Sequence, residues 1–106
     1  MTDIGQLFYI FITKIILMQE NEKIFYSAIG KVIKTRRKEL GLRFTIFCYE
    51  NDISTTTLGC IENARRKVHL SSIFQVIEAL NLSYSEFIEL LEKQLPKNFS
   101  LLRTIN

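Results

Sequence analysis

The sequence predicts an all-α fold, five helices behind an apolar N-terminal extension, from three observations. Apolar residues recur at the i, i+3, i+4, i+7 spacing of a helical face over most of the chain. Helix stop and start residues punctuate that pattern at regular intervals. The 106 residues hold one Pro and four Gly, with 47% hydrophobic and 24% charged residues, a composition suited to one ordered domain with a core of its own.

The run Ile4 to Leu17 (IGQLFYIFITKIIL) is apolar apart from Gly5, Gln6, Thr13 and Lys14. It is shorter than the roughly 20 apolar residues a bilayer-spanning helix needs. Asp3 in place of a basic flank, and the lack of a small-residue cleavage site, argue against a secretory signal. Two readings stand side by side. Met18, which opens the polar stretch MQENEK, is the initiator and residues 1–17 an upstream extension; or the segment is native and its apolar surface is covered by the core or a second subunit. A membrane-surface anchor ranks third. The expected organisation is an extension over 1–22, a domain over 23–95 and a tail over 96–106.

In the first helix Phe25, Ala28, Ile29, Val32, Ile33 and Leu40 form the inner face, with Lys31, Lys34, Arg37 and Lys38 on the solvated side. Gly41 is its stop, because glycine enters the left-handed region without a Cβ clash. A short second helix over about Thr45 to Glu50 buries Phe47 and Cys48 and ends at Asn51-Asp52, residue types that tolerate left-handed backbone. Ile53 returns to the core. Ser54 is the N-cap of a third helix running to about Asn63, with Leu58 and Ile61 inward.

After the basic turn Arg65-Arg66-Lys67, a fourth helix over Leu70 to Leu80 turns Leu70, Ile73, Phe74, Ile77 and Leu80 inward and closes at Asn81. Ser83 and Glu86 have the spacing of a capping box. They open a fifth helix through Leu95, with Tyr84, Phe87, Ile88, Leu91 and Leu95 inward, until Pro96 ends it. The tail, carrying Phe99, Leu101, Leu102 and Ile105, either folds back or joins a subunit contact.

The net charge of +3 is unevenly spread: Lys31 to Lys67 holds nine basic and four acidic residues, and the rest five basic and seven acidic. A basic middle suits a polyanion. Cys48 and Cys60, twelve positions apart, with His69 as the one histidine, cannot assemble a zinc site, and they suit a reduced, cytoplasmic protein. His69 stands where it either caps the fourth helix or simply occupies the surface. No phosphate loop or nucleophile motif is present, so neither an enzymatic function nor a cofactor is expected.

RRKELGL (Arg36 to Leu42), ISTTTLGCIEN (Ile53 to Asn63) and LSSIFQVIEALNLSYSEF (Leu70 to Phe87) together resemble the lambda-repressor and Cro helix-turn-helix family, from about Ala28 to Glu92. The resemblance implies a lambda-repressor-like domain in which the second helix braces on phosphates and the third enters the major groove. By position, Thr55, Thr56, Gly59 and Cys60 face the bases, Arg43, Asn63, Arg65, Arg66 and Lys67 lie near phosphates, and Thr45, Ser54 and Thr57 complete the DNA-binding set. Double-stranded DNA and a second copy of the chain are the implied partners, without a membrane. Restriction-modification controllers, antitoxin subunits and mobile-element regulators use this architecture.

Three departures bear on function. Phe44 stands where the family usually has a phosphate-anchoring Gln, and Phe lacks that amide. Asn51-Asp52 replaces an apolar residue and a turn glycine. The base-facing positions carry no Arg, Lys, Gln or Asn, the strongest discriminators of bases. Affinity is therefore expected from phosphates, and specificity from thymine contacts, DNA shape and paired half-sites. The alternative is an interaction module, antitoxin-like, that binds a protein and has lost base recognition.

Overall fold

A computed structural model describes residues 3–103, with side chains throughout that range except those of 14–19. The order is α1 (Ile4–Glu39), α2 (Phe44–Glu50), α3 (Thr55–Asn63), α4 (Leu70–Ala79) and α5 (Tyr84–Gln94), with no strand among the described residues.

The expected extension and first helix are one element. Asp3 caps α1, its carboxylate accepting from the Gly5 N–H at 3.4 Å. Between Gly5 and Gly30 the sequence offers no glycine or proline, and the polar stretch QENEK consists largely of good helix formers, so nothing breaks the helix at residue 22. Its first turns leave the domain: Ile4, Leu7, Phe8, Tyr9, Ile10, Phe11 and Ile12 are all exposed. The core does not cover them. The side chains of Lys14 and Met18 lie outside the described residues. Among those residues no helix is long and apolar enough to cross a membrane.

Farther along, α1 is the spine of the domain and packs against both α3 and α5. Ala28, Ile29, Val32 and Ile33 meet Phe47, Cys48, Leu58, Ile61, Ile73, Val76, Ile77, Leu80, Leu82, Phe87 and Leu91 in one core. Gly30 sets the α1–α3 approach, because a Cβ there would stand 2.4 Å from the Ile61 carbonyl oxygen and 2.8 Å from that of Glu62. Gly41 ends the first helix at φ 67° as expected, and Asp52 (φ 54°) occupies the left-handed turn position between α2 and α3.

The capping box forms: the Glu86 N–H donates to Ser83 Oγ at 3.0 Å, and the Ser83 N–H to Glu86 Oε1 at 3.1 Å. The Ser83 backbone N–H, then its hydroxyl, hold the Glu86 carboxyl below its usual pKa. His69 is the α4 N-cap residue, but its side chain makes no capping bond.

Several expected core residues are outside. Leu40 and Leu70 are exposed, as are Tyr84 and Ile88 of α5, while Val76 and Leu82 take their places inside. Tyr84 stays near the edge of the core, its ring 4.6 Å from that of Phe74 and its hydroxyl donating to Glu78. The tail folds back on α1. Phe99 stacks parallel to Phe25 at 6.2 Å, and the buried Asn21 amide donates to the carbonyls of Ser100 at 3.2 Å and Arg103 at 2.6 Å. Ile105 lies outside the described residues.

Candidate nucleic-acid interface

Helices α2 and α3 and the Asn51–Ser54 turn between them form the candidate site. Ser54 caps α3 as expected, its hydroxyl accepting from the Thr57 N–H at 3.1 Å. On a 3.6-residue period Thr55, Thr56, Gly59 and Asn63 share the face opposite the buried Leu58 and Ile61. Thr55, Thr56 and Asn63 are exposed on it, with Ser54 at its start; Thr57 is half-buried at its margin. The Asn63 amide is turned back along the helix, donating to the Gly59 carbonyl at 3.0 Å.

Two base-facing expectations need correction. Cys60 is 6% exposed and lines an interior pocket with Tyr26, Ile29, Ile61 and Ile73, so it faces α1 and α4 rather than a base edge. Gly59 is covered: Arg65 Nη1 and Phe44 Cζ lie 3.8 and 3.9 Å from where its Cβ would stand. Those distances are ordinary contact. Gly59→Ala is therefore expected to stabilise the protein by about 0.5–1 kcal/mol through helix propensity and a less free unfolded chain, read as a higher urea midpoint.

Arg37, expected on the solvated side, is 7% exposed. Its Nε donates to Glu62 Oε2 at 2.7 Å, Nη2 to Glu62 Oε1 at 3.0 Å and Nη1 to the Leu42 carbonyl at 2.7 Å. This fork ties the end of α1 and its following turn to the back of α3. Hydrogen bonding to Glu62 raises the guanidinium pKa against the opposing effect of burial. Burial is the main reason the neighbouring Cys48 thiol is pushed up as well.

Phe44 completes the arrangement. Its ring lies 5.4 Å from the Arg37 guanidinium carbon, a cation–π contact, and is partly buried against the core. The side chain that replaces the family's amide thus braces the Arg37–Glu62 pair.

The basic flank is narrower than its sequence. Lys67 pairs with Glu22 of α1 at 2.5 Å, which raises its pKa and withdraws part of its charge from an external anion. Arg43, Thr45, Arg65 and Arg66 are exposed, and no ion pair among the described residues uses these arginines. The buried role of Arg37 is hidden in the sequence. Its one signal was its place in RRKELGL.

A first helix locked by a buried ion pair to the back of α3, with α2 and α3 joined by a tight turn, is a helix-turn-helix arrangement with the fold of the lambda-repressor and Cro type. Among solved structures, the chain is similar to the restriction-modification controller protein C.Esp1396I, with 27% identity, a TM-score of 0.61, and 66% of this chain and 92% of that chain covered. A point variant of that protein aligns over 70% of this chain and 96% of its own at 27% identity and TM-score 0.63. The C.Esp1396I tetramer in complex with its natural 35 base-pair operator matches at 25% identity and TM-score 0.61, with 74% and 96% covered. No family model and no curated protein matches the chain.

Proposed function

We propose that the chain is a transcription regulator that binds double-stranded DNA as a homodimer, with α3 in the major groove and Arg43, Thr45 and Arg66 on the flanking phosphates. The observation that carries this is the exposed outward face of α3 set between arginines that no carboxylate of the described chain engages. The similarity to a controller protein solved on its operator supports it. Tyr84 and Ile88, one turn apart and exposed on α5, offer apolar surface to a second copy. The proposed activity is binding without chemistry, exercised in the cytoplasm. The protein-interaction alternative drew on Phe44 and on the weak base-reading face; the Phe44 ring is engaged within the domain.

Fluorescence anisotropy on duplex DNA tests the proposal. Affinity is expected to fall steeply with salt, and Arg43→Ala and Arg66→Ala each to weaken binding uniformly across sequences while lowering the salt slope by about 1. Absence of binding at low salt contradicts the proposal.

A further inference from the structure

The outward face of α3 has a vacancy in its middle, and the chain beyond the helix fills it. Nothing in the backbone packing requires glycine at position 59, since the nearest atoms to a Cβ are side-chain termini 3.8 and 3.9 Å away. One of them is Arg65 Nη1. The chain reaches this place through a Schellman turn: Ala64 is left-handed at φ 50°, its N–H donates to the Ile61 carbonyl at 3.4 Å, and the Arg65 N–H donates to that of Cys60 at 3.1 Å. The reversal sends the Arg65 side chain back along the helix it has just left.

We infer that Arg65 is the base-reading residue of this interface, placed over Gly59 to take a guanine through its O6 and N7 in the major groove. The inference rests on the DNA-binding reading above and gives Arg65 a base contact in place of the phosphate contact that the family resemblance implied. Thr55 and Thr56 offer only hydroxyls, and the Asn63 amide already donates to the helix backbone. Arg37 and Lys67 are tied to Glu62 and Glu22. Arg65 is an exposed residue outside both ion pairs, with its Nη1 seated over Gly59 in the middle of α3. Its forked donors match the two acceptors that guanine presents there. Phe44, against the same glycine, walls one side of the seat.

The test is selection of binding sites from random duplex DNA by the full chain, followed by affinities on the selected site. The wild type is expected to fix a guanine in each half-site. Arg65→Ala and Arg65→Lys should lose the preference at that position and bind the selected site about 5- to 150-fold more weakly, while Arg66→Ala keeps it. Replacing that guanine by 7-deazaguanine, which lacks the N7 acceptor, should weaken the wild type and leave Arg65→Ala unchanged. An Arg65→Ala protein that selects the same bases and is weakened equally on every sequence overturns the assignment and makes Arg65 a phosphate contact. A wild type that binds no duplex overturns the DNA-binding reading and this assignment together.

Discussion

Gly30→Ala is expected to destabilise the protein by about 3 kcal/mol, at the upper end of ordinary overpacking. The added Cβ would fall 2.4 Å from the Ile61 carbonyl oxygen and 2.8 Å from that of Glu62. Both obstacles are backbone of α3, so no rotamer change relieves them and the two helices must separate. That separation opens the core around Ala28, Ile29 and Ile61 and displaces the helix that carries the outward face. In urea denaturation the midpoint should drop sharply, whereas Gly59→Ala, the same change on the side of α3 where only side-chain termini stand nearby, should raise it. Equal midpoints for Gly30→Ala and wild type would show that α1 and α3 do not approach this closely.

Breaking the Arg37–Glu62 pair should cost about 3–5 kcal/mol, because removing either partner leaves an uncompensated buried charge. The side chains are 8% and 2% exposed, and the guanidinium also holds the Leu42 carbonyl. Glu62→Ala strands Arg37 beneath Phe44, while Arg37→Ala strands the carboxylate and that carbonyl. Arg37→Lys should recover little, since an ammonium cannot supply the fork. Replacing both residues together by apolar ones of similar volume, Arg37→Met with Glu62→Leu, should restore much of the loss. A double-mutant cycle on unfolding free energies reads the coupling directly. Losses under 1 kcal/mol for both single variants would place the pair in solvent and contradict its bracing role.

What could be read in the sequence were the features with local causes. The Ser54 cap, the Ser83–Glu86 box, the Gly41 stop and the bounds of α2 to α5 are decided by a few neighbouring residues, and they appear within a residue of expectation. Periodicity misplaced Arg37 because its burial depends on Glu62, 25 positions away, and a helical wheel counts any guanidinium as solvated. The Lys67–Glu22 pair is hidden for the same reason. Cys60 fell on the outward face by analogy of position, yet the way α3 leans on α1 turns it inward. Tyr84 and Ile88 follow the apolar stripe of α5, but the stripe is wider than the surface α1 and α4 cover. No expectation attached to Gly30, whose importance lies in how closely another helix passes.

Of the candidate site, the exposed Thr55 and Thr56 and the arginine flanks were legible because position in the motif fixes them. The seat of Arg65 was not. It follows from the left-handed Ala64, which turns the Arg65 side chain back over Gly59, a backbone circumstance that residue types alone do not reveal.

In the proposed complex the outward face of α3 docks in the major groove of DNA, once per subunit of a two-fold dimer. Sequencing the duplexes that the wild-type chain enriches from a random pool tests this most directly. A two-fold symmetric site is expected, with half-sites about 10–10.5 base pairs, or a multiple of that, apart. A selected pool indistinguishable from its input would contradict it.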